Sequence, residues 1–402
     1  MPHLDPIRAA RRMALATTFA LVALNAWWLW GDLPGPRMKA IATAIARGHV
    51  DEAEAQLRRR LARSPEDGEA RLELARLLIR RGNHLDGARQ LHEVPFWWPT
   101  RGEASFLEGE AFKEAKRARD AEAAWKSCIV DDPLHPLRPE MFHGAVKELV
   151  ALYILEGRIA EVRAVLLRAF EEATPPEKPG ILITRVRAEL ERIDHKEAVD
   201  KLREYLAADP GDLDALRALP LEEHVIGDEA SAERSLETLL GAVPGDPIAW
   251  RAKLEILNDR GDIEAFREAV GRTPASADVD PRVWLYRGIS RQRDGDLPGA
   301  LEAFRRAEVM APDDPEVLYK LGMAEQAAGE VEAGRAHSAR TRELRQAYTD
   351  LREAYKDFLE QYHRAPRDEA GYRSAIERLA KDCRLLGYQA EAEAWLAQLG
   401  PA

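Results

Sequence analysis

Cysteine occurs only twice in 402 residues, too rarely for a disulfide framework, and the absence of CxxC and CxxCH excludes a dithiol redox motif and covalent haem attachment. Positive charge is also in deficit. The 59 lysines and arginines face 70 acids, a net charge of −11, so the chain lacks the cation surplus with which a nucleic-acid binder neutralises phosphates. GxxxxGK[ST], GxSxG, HExxH and the EF-hand loop are all missing, which leaves no phosphate cradle, esterase elbow, zincin site or calcium loop to build on. Disorder is excluded in turn by a 46% hydrophobic, 32% charged composition. Only 12 of the cations are lysine; with abundant alanine, this is the composition expected of a GC-rich bacterial gene.

Long apolar runs are equally scarce, with one exception. Met13 to Trp30 is free of charge and would make roughly 27 Å of helix, enough for one membrane span. Arg8, Arg11 and Arg12 precede it and Asp32 follows it, so the positive-inside rule keeps residues 1–12 in the cytoplasm as a short tail. The expectation is a signal anchor over 13–30 in the inner (cytoplasmic) membrane, with the bulk of the chain periplasmic and Trp27, Trp28 and Trp30 at the outer interface. Signal-peptide cleavage after Ala26 would put Leu24 at −3, a poor fit. Arg11-Arg12 is weakly continued as a twin-arginine signal by Met13-Ala14-Leu15. Leu33-Pro34-Gly35-Pro36 closes a linker over 31–36.

Beyond the linker the chain repeats. From Pro281 it reads Trp284, Gly288, Gly295, Ala300, Phe304, Ala307 and Pro312, which are positions 4, 8, 15, 20, 24, 27 and 32 of a 34-residue module. Starts at 179, 213, 247, 281 and 315 keep one register, carrying for example Leu216, Gly227, Ala232 and Leu236, then Trp250 and Gly261, then Leu318, Gly322 and Gly329. A second in-phase block starts at 34, 68 and 102, with Gly48 and Leu57, Gly82 and Leu91, and Gly109 and Trp125. Two units are out of phase, one near His143 with Gly157 and one near Arg373 with Gly387. The weakest unit, from Pro179, has Ile193 at position 15 and an Asp194-His195 turn, so irregular geometry is expected there.

This pattern closely resembles the tetratricopeptide repeat (TPR) family. The resemblance implies an all-α, right-handed solenoid of about ten helix-turn-helix units with an extended concave surface. Small residues at 8, 20 and 27 fit the closest helix approaches and a large group at 24 fills the space between; glycine at 15 ends the first helix and proline at 32 stops the second. The expected blocks are 37–178 and 179–340, then a long heptad-patterned helix over 341–366 and a terminal TPR-like unit over 367–402. The heptad seam is Leu344, Tyr348, Leu351, Tyr355, Phe358 and Tyr362 on one helix from about Val331 to His363, ended by Ala365-Pro366. Its shortness and tyrosine-rich a positions favour packing within the chain over dimerisation, so the repeat domain is expected to be monomeric.

No catalytic, cofactor or metal site is implied. Cys128, His135 and His143 match no compact zinc spacing, and Cys128 and Cys383 fall at the packed positions 27 and 11. Asp131-Asp132 and Asp313-Asp314 read as turn residues and caps. Phe96-Trp97-Trp98, between Pro95 and Pro99, either packs over the solenoid edge or meets the membrane surface or a partner. In the TPR arrangement positions 2, 5, 9 and 12 line the groove, which makes Arg217, Leu221 and His224; Arg251, Glu255 and Asn258; Leu285, Ile289 and Gln292; and Tyr319, Met323 and Gln326 the partner-binding candidates. The lysine and asparagine set that clamps a terminal carboxylate in chaperone-binding TPR domains is missing from positions 5 and 9. An apolar strip of Leu285, Ile289, Tyr319 and Met323 suits an amphipathic helix of a partner or the chain's own terminal helix. The reading is a membrane-anchored, non-catalytic scaffold for a protein or peptide. Its alternatives are an assembly or accessory factor of an envelope complex (secretion, pilus or cytochrome biogenesis), or an enzyme subunit with a shared site.

Overall fold

A computed structural model describes residues 38–130, 137–190, 194–364 and 368–399. The expected span over 13–30, the linker, the Asp131-Asp132 pair, His135, Ile193 and Ala365-Pro366 lie outside those residues. Among the described residues the secondary structure is helical without strands, and no helix is long and apolar enough to cross a membrane. Packing divides the chain into two compact units at Arg101 and Gly102. The change of repeat phase near residue 179 is not a packing boundary, since the helices on its two sides share one unit.

The first unit contains α1 (Met38–Ala46), α2 (Val50–Arg63), α3 (Gly68–Arg80) and α4 (His84–His92). Ile41, Ala53, Leu57, Ala70, Leu74 and Leu77 form its core. Gly48 and Gly82 end the first helix of each pair at φ of 80° and 81°, a left-handed conformation that glycine adopts without a Cβ penalty.

The second unit opens with α5 (Arg101–Glu114) and α6 (Ala118–Cys128), then α7 (Pro139–Leu155) and α8 (Ile159–Glu172), then α9 (Lys178–Leu190) and α10 (His195–Ala208). It continues through α11 (Leu213–Val225) and α12 (Glu229–Ala242), α13 (Pro247–Arg260) and α14 (Ile263–Arg272), and α15 (Pro281–Arg293) and α16 (Leu297–Met310). α17 (Pro315–Ala327), α18 (Val331–His363), α19 (Glu369–Leu385) and α20 (Gln389–Leu396) complete it. Both out-of-phase units begin one helical turn earlier than the repeat register places them: Pro139 sets the first-turn φ of α7, and Asp368 caps α19 by accepting from the Ala370 N–H.

Where a glycine at position 8 faces an aromatic ring at position 24, the first helix lies close against its second. A Cβ on Gly288 would come within 2.3 Å of the Phe304 ring and one on Gly109 within 2.4 Å of the Trp125 indole, so position 8 must be small where position 24 is aromatic. Aspartates at two positions of the repeat cap the helices. Asp194, Asp228, Asp262 and Asp296 cap second helices, and Asp212, Asp246, Asp280 and Asp314 cap first helices, each accepting a first-turn backbone N–H. Trp250 and Trp284 donate their indole N–H to the carbonyls of Pro244 and Asp278 in the inter-repeat turns.

Position 15 of the unit starting at 102 is Lys116, the one non-glycine residue with positive φ (61°) among those described. A side chain there costs about 1–2 kcal/mol.

The heptad seam is buried within the chain. Leu344, Leu351 and Phe358 are at most 1% exposed and pack with Tyr372, Ile376, Leu379 and Trp395 of the terminal pair and with Leu182 and Val186 of α9. Trp395 meets Phe358 edge-on at 4.8 Å. Tyr355 is buried with them, whereas Tyr348 and Tyr362 form the rim: both are half-buried, and the Tyr348 hydroxyl lies 3.2 Å from that of Tyr388. The terminal pair therefore closes on helices some two hundred residues earlier. Arg185 donates to Glu391 (3.1 Å) and Glu189 (2.9 Å), Arg163 donates to Glu189 (2.8 Å), and the Arg163 guanidinium stacks 3.9 Å from the Tyr388 ring.

Two outcomes follow. Lys116→Gly relieves the left-handed strain and, after glycine's own entropic cost, should raise stability by about 0.5–1 kcal/mol, read from the urea midpoint. Leu351→Asp puts an unpaired carboxylate in the closure core; it should cost about 3 kcal/mol or more and make residues after Arg367 the first site of limited proteolysis.

Candidate functional site

The groove candidates divide by what the neighbouring repeat does to them. Arg217 donates to Asp246 through Nε (2.9 Å) and Nη2 (2.8 Å) and to Asp214 (2.9 Å). Arg251 lies 3.7 Å from Asp280, and Arg282 lies 3.8 Å from Asp314. These are the aspartates that cap the next first helix, so arginines of one repeat are held by the cap of the following one. His224 pairs through Nδ1 with Glu229 (2.7 Å). Asn258 accepts from Arg293 (2.9 Å) and donates to Asp259 (3.2 Å). Gln326 donates to the Gly334 carbonyl (3.2 Å) and the Ser338 hydroxyl (3.1 Å).

The apolar strip is split. Leu285 is fully buried and Ile289 is 5% exposed, both in the core built by Phe266, Tyr286, Phe304 and Leu321. They are core residues, because α15 is covered on both sides by its neighbouring repeats: seven of its thirteen residues are buried. Tyr319 and Met323 on α17 stay 40% and 48% exposed, and Gln292 is exposed beside them in the register. Arg345 of α18 lies over the Tyr319 ring at 5.4 Å. Leu221 is half-buried. Glu255 is held above the ordinary carboxylate range by burial, against the pull of Arg282 and Arg251.

The cysteines are packed as expected. Cys128 is buried and its thiol points to the Ala124 carbonyl (3.6 Å). Burial, with Glu391 nearby, pushes the Cys383 thiol up to about 12, which leaves it protonated and a poor nucleophile. His143 lies 3.8 Å from Glu177.

One cluster was not anticipated. Glu122, Glu156 and Asp214 bring carboxylate oxygens within 4.8 Å of one another, a spacing that would suit a cation. Arg158 fills that role. It donates to Glu122 twice (2.9 Å each), to Glu156 (2.9 Å) and to Asp214 (3.4 Å), while its guanidinium lies 4.4 Å from the Tyr153 ring. Tyr153 also donates to Glu122 (2.9 Å). The cluster ties α6, α7, α8 and α11 together, and its residues come from positions too dispersed for any spacing motif to reveal.

One guanidinium shared among several carboxylates cannot hold them all ionised. Burial pushes Glu156 up to about 8, against the hydrogen bond from Arg158. Burial works the same way on Glu122, but hydrogen bonds from Arg158, Lys126 and Tyr153 bring it down to about 2. A raised carboxyl contributes stability that is complete below its unfolded value of 4.5 and is lost as pH rises through about 8. Stability of the second unit should therefore fall between those limits, by at most about 1.4 kcal/mol per pH unit, and Glu156→Gln should flatten that slope in urea titrations across the same range.

Models of the tetratricopeptide repeat match residues 44–96 and 285–342. No curated protein sequence matches the chain. Among solved structures, MamA from Desulfovibrio magneticus RS-1 is 19% identical at a TM-score of 0.32, covering 42% of this chain and 96% of that one. PilF of Pseudomonas aeruginosa is 16% identical at 0.34, covering 56% and 99%. IFIT1 is 13% identical at 0.37, covering 83% and 90%. The repeat matches fall in both compact units, on helix pairs whose small position-8 residues, Ala75, Gly288 and Gly322, are buried at the interhelical contact, so each unit carries tetratricopeptide repeats, a helical module of the kind that supplies binding surface for proteins.

Proposed function

We propose that the chain is a single-pass membrane protein whose repeats stand on the extracytoplasmic side and hold a protein partner near the bilayer, without chemistry of their own. The observation that carries this reading is the joining of one uncharged stretch, Met13–Trp30, preceded by Arg8, Arg11 and Arg12 and followed directly by Asp32, to helix pairs, ten among the described residues, that offer binding surface. Supporting it, Tyr319 and Met323 are the groove candidates with large apolar surface left free. They suit the apolar face of a partner helix, with Arg345 over the Tyr319 ring for orientation.

Topology is tested by reporter fusions after Pro65: a periplasm-dependent reporter should be active there, and activity of a cytoplasm-only reporter would reverse the orientation. The groove is tested by two substitutions in the membrane-embedded protein. Met323→Asp should weaken partner capture by about tenfold or more with the melting temperature unchanged, whereas Ile289→Asp, a core change, should lower the melting temperature sharply. Equal capture by wild type and Met323→Asp would move the binding surface elsewhere.

A further inference from the structure

The connection from α4 to α5 holds two aromatic rings in solvent. Val94 is 3% exposed, and Trp98 lies so close over Gly68 that a Cβ there would sit 2.5 Å from the indole. With both ends of the segment tied inward and prolines at 95 and 99 restricting the backbone, Phe96 and Trp97 are displayed outward at 70% and 42% exposure, packed edge-on at 5.0 Å. The surrounding unit differs in charge from the remainder of the chain. Residues 38–101 carry twelve Lys and Arg against nine acids, whereas residues 102–402 carry 43 against 59. Lys39, Arg47, Arg59 and Arg80 are exposed on the cationic unit.

We propose that Phe96 and Trp97 are a second membrane contact, seating the first unit on the headgroup surface of an anionic bilayer. The proposal rests on the membrane-anchored reading. Seven residues separate Trp30 from Met38, a reach of at most about 25 Å. The helices of the unit are themselves only about 14–21 Å long, so any of its faces can meet the headgroups. Indole and phenyl rings partition into that interfacial layer. Each basic side chain near an anionic surface favours the seated state by roughly fivefold, and the anchor makes seating an intramolecular step. A neutral or repelled surface would be expected of the acidic second unit.

Hydroxyl-radical footprinting of the purified full chain in nanodiscs tests this, comparing phosphatidylcholine discs with discs containing phosphatidylglycerol. Oxidation at Phe96 and Trp97 should be slower by about fivefold or more in the anionic discs and return at high salt. Met310 and Met323 in the second unit are exposed references and should not change. Equal oxidation at 96 and 97 in both discs, with the chain retained on them, overturns the second contact and leaves the anchor standing. If that equal oxidation is also slower than in the detergent-solubilised chain diluted to monomer, and insensitive to salt, the rings are assigned to contact between protein copies instead. Failure of the chain to co-elute with either disc removes the anchor and the proposal with it.

Discussion

The contact between a ring and the missing side chain opposite it fixes the geometry of the repeats that carry it. Where Phe304 faces Gly288 and Trp125 faces Gly109, the two helices approach so closely that one added carbon would overlap the ring. That distance aligns the apolar stripe of each pair for the next, and a pair that cannot bury its stripe alone must stack. Burial of each large apolar side chain is worth about 1.5–3 kcal/mol, so the stacked array gains with every copy that keeps the spacing.

Charge is distributed around that constraint. A capping aspartate satisfies a helix N-terminus and then receives an arginine from the repeat before it, as Asp246 does from Arg217. One carboxylate thus fixes both the start of a helix and the register between repeats. The same economy explains why a groove rich in arginine leaves little free cation: its side chains are engaged by the next cap. Arg158 is the extreme case, serving Glu122, Glu156 and Asp214 together.

The closure has a similar logic. Helix α18 continues past its repeat and turns Leu344, Leu351, Tyr355 and Phe358 inward, with Tyr348 and Tyr362 at the rim. The terminal pair then docks on α8 and α9 through Arg185, Glu391 and Tyr388. Apolar surface that would otherwise end the stack in water is covered by the chain itself, which leaves Tyr319 and Met323 as accessible apolar surface on α17 rather than as the seat of the terminal helix.

The period of 34, the glycines that end first helices and the large apolar residues at 24 were legible in the sequence, because each is set by local conformation or by a contact repeated in copy after copy. The buried heptad seam was legible for the same reason, as a spacing of 3 and 4. The fate of the groove residues was not. Leu285 and Tyr319 occupy the same position in adjacent repeats, yet one is fully buried and the other 40% exposed, because α15 is covered on both sides by its neighbours whereas α17 keeps one face open. Likewise nothing in the order of residues brings Glu122, Glu156, Arg158 and Asp214 together, or Arg185 to Glu391 across 206 positions. Local periodicity determined which helices form and how they pair; which of their side chains remain free depended on neighbours distant in sequence, and the tertiary structure alone decided it.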